Sequence, residues 1–195
     1  MLIVVRHGRT AANAAGQLLG RRDVPLDDTG RVQARALAAA VGRIDLVIAS
    51  PLQRARETAE AFGQPVIFDD RWLELDYGVW DGVANSDVPA DVWAKWRTDL
   101  DFAPPSGESL RSVGQRVREA CAELAVAATR SDVVVVTHVS PIKAAFGWAL
   151  GVGDEVSWRC FVAPASIMRI GVGPHGASLR SFNDTAHLAD ERMRG

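Results

Sequence analysis

Of the 195 residues only two are cysteine, Cys121 and Cys160, far apart and outside any metal or redox spacing. That excludes a disulfide framework and a cysteine-built zinc site, and it suits two free, buried thiols in a reducing compartment. Lysine occurs only at Lys95 and Lys143, although lysine and arginine together number 22, so positive charge rests on arginine. Against 24 acidic residues the formal net charge is −2. Such a balance gives no general attraction to nucleic acid or to an anionic membrane, and neither is expected as a partner. Long apolar runs are also missing. The longest candidate, Ile142 to Val152, carries Lys143 and falls short of the ~20 residues a transmembrane helix needs. The opening Leu2 to Val5 is too short for the apolar core of a signal peptide, and Arg6, His7 and Gly8 follow at once. A cytoplasmic protein is the expectation. No repeat or linker divides the chain, so residues 1–195 are expected to fold as one domain.

What is present is an alternation. Short β-branched runs at Leu2–Val5, Asp45–Ala49, Val66–Phe68, Val133–Thr137, Ile167–Ile170 and Leu179–Phe182 are separated by longer, helix-patterned stretches. Thr29–Val41 carries apolar residues at helical spacing after Asp28 or Thr29 as N-cap. Ser109–Ala128 gathers Val113, Val117, Cys121 and Leu124 on one face, and Ser140–Leu150 begins with Pro141 in its first turn. Strands alternating with helices predict a three-layer α/β/α sandwich around a mostly parallel sheet. The all-valine run Val133–Val136 suits a central strand buried on both faces. Residues 80–108, with Trp80, Trp93, Trp96 and several prolines, read as an inserted helical and loop segment: a lid or a satellite core.

In an open α/β sheet, ligands bind beyond the carboxyl ends of the strands. Arg6-His7-Gly8 follows the first run, Ser50-Pro51-Leu52-Gln53-Arg54 follows the second, and His138 follows the fourth. Parallel strands would bring these ends to one edge, placing two imidazoles and at least two arginines around a point. Cations clustered without a carboxylate beside them are costly unless an anion binds, and arginine's planar fork suits a tetrahedral oxyanion. Arg56, further along the same helix, reads as solvated surface. His175 lies in a Gly-Pro-His-Gly hairpin turn, and His187 reads as structural.

Four motifs in order resemble the histidine phosphatase superfamily, also called phosphoglycerate mutase-like, over nearly the whole chain. Arg6-His7-Gly8-Arg9-Thr10-Ala11-Ala12-Asn13 is similar to Arg-His-Gly-x-Thr-x-x-Asn. Ser50 to Ala59 is similar to Ser-x-Leu-x-Arg-Ala-x-x-Thr-Ala, Leu73 to Gly82 resembles the segment that carries the acid, and Val133–Thr137 before His138 resembles the second-histidine motif. Asn183 to Leu188 is also family-like. The resemblance implies a metal-independent phosphomonoesterase with His7 as nucleophile and Glu74 as proton donor. Arg6, Arg54 and His138 would complete the phosphate pocket, with Asn13 and Thr10 as auxiliary contacts. It implies no cofactor and a small-molecule phosphate ester as partner. Arg6 and Arg54 would hold the nucleophile unprotonated, and together with His138, if that ring is protonated, would grip the phosphoryl oxygens. Arginines beside both imidazoles would repel a metal cation.

Alternatives stay open at this level: phosphoglycerate mutase-type transfer, a phosphohistidine-protein phosphatase, or a non-catalytic phosphate-binding module. A mutase would need more basic residues after the acid motif than Lys95, Arg97 and Arg111 supply. Pro105-Ser106-Gly107-Glu108-Ser109 is similar to an element of α-ribazole-phosphate phosphatases, or simply caps the helix that follows. Arg9, where the family more often has an acid or amide, would add positive charge at the pocket mouth or face solvent.

Overall fold

The computed structural model describes residues 1–188. Six strands, β1 (Leu2–Arg6), β2 (Leu46–Ala49), β3 (Val66–Phe68), β4 (Val133–Thr137), β5 (Ile167–Gly173) and β6 (Gly176–Asp184), form one sheet in the order β3-β2-β4-β1-β5-β6. The β3–β2, β2–β4 and β4–β1 pairings are parallel, whereas β5 and β6 join antiparallel. The mostly parallel sheet read from the sequence is thus present, with an antiparallel edge. β5 and β6 both extend past the apolar runs that announce them, because a hairpin ladder continues through the backbone whether or not the side chains are buried. His175 stands in the turn of that hairpin, exposed as expected.

Alternation along each strand sends side chains to opposite faces. Ile3, Val5, Val134 and Val136 face Leu37 of α2 (Asp28–Val41) and Ala55 and Ala59 of α3 (Gln53–Glu60). Leu2, Val4, Val133 and Val135 face Val113, Val117 and Cys121 of α5 (Leu110–Ala128) and Ile142 and Ala145 of α6 (Val139–Leu150). These are the three predicted layers. The four valines of β4 are fully buried, each stabilising the fold by roughly 1.5–3 kcal/mol. The helix α2 starts one residue earlier than its pattern suggests, because Asp27 caps it through Gly30 N at 2.7 Å.

The segment after the acid motif contains α4 (Ala90–Thr98), whose Trp96 is 1% exposed and belongs to the core under α5 and α6. Trp96 therefore packs into the main core itself rather than into a separate satellite. At the other end of the sheet, Gly8 and Gly30 allow two backbones to touch: a Cβ on Gly8 would overlap the Gly30 carbonyl, and one on Gly30 the Arg9 carbonyl. The contact anchors the loop after β1 on the start of α2.

Candidate active site

Parallel pairing of β1, β4 and β2 carries the chain leaving each strand to the same edge. His7 N bonds the Thr137 carbonyl at 2.9 Å, continuing the β1–β4 ladder by one step, and Ser50 N bonds the Val136 carbonyl at 3.0 Å on the other side of β4. His7 and His138 consequently meet with ring centroids 5.0 Å apart. Arg6, His7, Arg54, Glu74 and His138 are all at most 9% exposed.

The His7 Nδ1 lies 2.7 Å from the carbonyl oxygen of Gly8. A carbonyl only accepts, so Nδ1 carries the proton and Nε2 keeps the lone pair. Burial holds the imidazole well below the usual histidine range, and the charges of Arg54 and Arg6 lower it further. The result is a neutral imidazole whose Nε2 carries the free lone pair.

His138 is fixed by different partners. Arg54 donates from Nε to His138 Nδ1 at 3.2 Å, and His138 Nε2 lies 2.7 Å from Ser50 Oγ. The guanidinium can only donate, so Nδ1 accepts and Nε2–H donates to the serine hydroxyl. This ring is neutral too, with burial first and Arg54 second among the causes of its lowered pKa. The sequence reading gave His138 a grip on phosphoryl oxygens only if protonated; here both ring nitrogens are engaged, by Arg54 and Ser50. Arg54 is fully buried and also donates to the Arg22 and Gly20 carbonyls. Its five N–H groups leave two beyond these three bonds.

Arg6 donates from one terminal nitrogen to the Val162 carbonyl at 2.8 Å, while its buried Nε has no partner among the described residues. An orphaned buried donor on a cation is expensive. Burial pushes the Arg6 and Arg54 guanidiniums down to about 10, opposed chiefly by Glu74, so both stay charged at neutral pH. The cation cluster therefore does have a carboxylate near it, which the strand-end reading alone lacked.

Glu74 lies in the loop after β3. Its Oε1 accepts from Leu75 N at 2.8 Å and Ser140 N at 3.0 Å, and its Oε2 accepts from Val139 N at 2.9 Å. The last two are open N–H groups at the start of α6, the helix His138 precedes, so one helix end positions both the acid and the second histidine. Oε1 has both lone pairs occupied. Oε2 retains one, the site where a proton can sit without displacing an N–H. Arg116 of α5 supports the loop by donating to the Arg71 and Glu74 carbonyls and pairing with Glu108 at 2.9 Å. The Gly107-Glu108-Ser109 element thus has two uses: Ser109 caps α5 through Ser112 N, and Glu108 anchors Arg116.

Other expected residues fall into place outside the core of the site. Thr10 and Asn13 form a reciprocal capping box on the short helix α1 (Ala11–Ala14), each bonding the other's backbone N–H. Arg9, 40% exposed at its side chain, pairs with Asp27 at 2.8 Å and donates to Thr29. Arg56 stacks over Phe68, away from the site. Lys95 lies over Phe102, Arg97 over Trp93 and Trp158, and Arg111 pairs with Asp101. Both cysteines are free, Cys121 buried and Cys160 only half-buried. His187 lies in a one-turn helix, Ala186–Leu188, at the end of the described chain. Sequence reasoning assigned no role to Ser50, to Thr58, whose hydroxyl accepts from Gly8 N at 3.1 Å and donates to the Arg54 carbonyl, or to Arg116. Ser50 and Thr58 were fixed positions of the quoted motif; Arg116 had no signal. Among the described residues no three His, Cys, Asp or Glu side chains converge as metal ligands. No helix among them is long and apolar enough to cross a membrane.

Residues 2–185 match the model of the histidine phosphatase superfamily, branch 1. A bifunctional protein of Mycobacterium tuberculosis is 33% identical over 198 residues, 96% of this chain, which spans only 54% of that protein's length. Phosphoserine phosphatase 1 of Hydrogenobacter thermophilus is 33% identical over 201 residues, covering 97% of this chain and 94% of the relative. A crystal structure of phosphoserine phosphatase from Entamoeba histolytica in complex with 3-phosphoglyceric acid superposes with a TM-score of 0.88 at 27% identity, over 96% and 98% of the two chains.

Proposed function

We propose, from the premise that the chain belongs to branch 1 of the histidine phosphatase superfamily, that it hydrolyses a small organic phosphomonoester through a phosphohistidine on His7. In the first step the Nε2 lone pair attacks phosphorus in line, forming the P–N bond as the ester P–O bond breaks. The departing alkoxide takes the proton from Oε2 of Glu74. In the second step Glu74 takes a proton from water, whose oxygen attacks phosphorus and breaks the P–N bond, releasing inorganic phosphate and restoring both residues. Arg6 and Arg54 hold the non-transferring oxygens throughout, which is the main contribution a protein makes to phosphoryl transfer. No step calls for a metal.

The observation that carries this reading is the Gly8 carbonyl on His7 Nδ1, because it leaves the reactive lone pair on the other nitrogen. Hydrolysis is favoured over mutase-type transfer since Lys95, Arg97 and Arg111 are each held by an aromatic ring or an aspartate. The test is phosphate release from a panel that includes 4-nitrophenyl phosphate, phosphoglycerates, phosphoserine, sugar phosphates and α-ribazole phosphate. Turnover of at least one ester, lost in His7→Ala, is expected. Phosphate transfer between phosphoglycerate carbons without release would favour the mutase.

A further inference from the structure

Asp81, next to the glycine that ends the acid motif, has no part in the mechanism above. Its half-buried carboxylate grips a loop from a distant stretch of chain: Oδ1 accepts from Gly20 N at 2.9 Å and Oδ2 from Arg22 N at 2.8 Å. The carbonyls of the same two residues hold Arg54, whose terminal nitrogens donate to Gly20 O at 2.7 Å and Arg22 O at 2.8 Å. Asp81 thus takes both N–H groups, and Arg54 both C=O groups, of Gly20 and Arg22.

Attachment of this loop does not need Asp81. Leu18 N donates to Val83 O at 2.9 Å and Gly82 N to Leu18 O at 2.7 Å, backbone bonds that require no side chain at position 81. On the other flank Asp23 accepts from Gln53 N at 2.6 Å, at the start of α3 and one residue before Arg54. What Asp81 adds is the orientation of residues 20–22. A guanidinium is planar and its donors point in fixed directions, so a turn of either carbonyl must tilt the plane or break a bond. Arg54 is fully buried, so a lost partner is not replaced from solvent. Burial lowers the Arg54 pKa, and Glu74, Asp23 and Asp81 oppose it, so the same carboxylate that orients the loop also favours the cation.

We propose that Asp81 is a positioning residue for phosphate capture: through Gly20 and Arg22 it fixes the plane of Arg54, and with it the two N–H groups left for the phosphoryl oxygens. The role rests on the phosphomonoesterase reading above and adds to it a side chain that acts without touching the phosphate.

The test is a double-mutant cycle on kcat/KM for 4-nitrophenyl phosphate. Asp81→Asn keeps the shape but sets an amide N–H against one of the two backbone N–H groups, and should cost about 10–100-fold, the size of a lost hydrogen bond to a charged group. Asp81→Glu, which keeps both oxygens, should recover part of it. In an Arg54→Met background the Asp81→Asn change should cost less than about twofold, since no guanidinium remains to be placed. Losses that simply multiply would make Asp81 a structural residue only and overturn the proposal. A spectroscopic arm needs neither turnover nor the arginine variant. The Nε–H resonance of Arg54, which donates to His138, should shift and exchange faster with solvent in Asp81→Asn held well below its unfolding midpoint, and an unchanged resonance overturns the proposal too. Calorimetric titration with inorganic phosphate separates this from failure of the catalytic reading. Binding about tenfold weaker in Asp81→Asn than in wild type supports the role even if no ester turns over, and equal binding removes it. Phosphate bound by neither protein would remove the phosphate site itself, and the proposal with it.

Discussion

Arg54 Nε donates to His138 Nδ1 at 3.2 Å, joining the helix after β2 to the tip of β4. A guanidinium that donates into an imidazole keeps that imidazole neutral, and the imidazole in turn fixes the plane of the guanidinium. Ser50 completes the chain on the far side of the ring. Arg54→Lys should therefore cost more than the bidentate grip on phosphate, because an ammonium cannot keep the Nε contact with His138 and the two carbonyl contacts together. A fall in kcat/KM of about 10²–10³ is expected from steady-state kinetics, with Ser50→Ala showing a smaller loss in the same direction. A lysine variant within a few-fold of wild type would contradict the role.

Glu74→Gln should act on chemistry and on stability separately. The loss in kcat should be large for esters of aliphatic alcohols and small for 4-nitrophenyl phosphate, whose leaving group needs no proton. Equal losses would remove Glu74 as the acid. An amide that keeps its oxygen on Leu75 N and Ser140 N places its NH2 against Val139 N, so unfolding should be easier by about 1–3 kcal/mol, read by urea denaturation.

The two histidines set a pH dependence of stability. His7 and His138 have pKa values held well below 6.5 by burial and by the neighbouring arginines. Each takes up its proton more readily in the unfolded chain, so their contribution is fully present above about pH 6.5 and declines as pH falls below it. Denaturation midpoints measured from pH 8 down to pH 5 should drop, and less steeply in His138→Gln. The same shift keeps His7 unprotonated, so on the proposed mechanism the acid limb of kcat/KM should lie below pH 6.5. A midpoint that rises on acidification would contradict the assignment.

Chelator should leave the rate unchanged, because the charges of Arg6 and Arg54 act on both imidazoles and would repel a divalent cation. Vanadate, a tetrahedral oxyanion that adopts five-coordinate geometry, should inhibit competitively. Loss of activity in chelator, restored by a divalent metal, would require a different mechanism.

The sheet was legible because strand and helix runs differ in period, and Val133–Val136 could hardly be anything but a central strand. The site was legible where residues follow strands directly, as with His7 and His138, since parallel order alone brings those tips together. Glu74 was readable only through the resemblance: nothing in Leu73-Glu74-Leu75 foretells that a helix end 65 residues later supplies two of its three N–H partners. The engagement of Arg9 by Asp27 and the partners of the His138 ring were likewise hidden, because both lie far away in the chain.

The central claim is tested most directly by acid-free quench and peptide mapping of the enzyme mixed with a labelled phosphate ester. A phosphoryl group that is stable to base and labile to acid, located on His7, is the expected result, and it should vanish in His7→Ala. Burst and steady turnover with no such adduct, or an adduct on His138 instead, would contradict it.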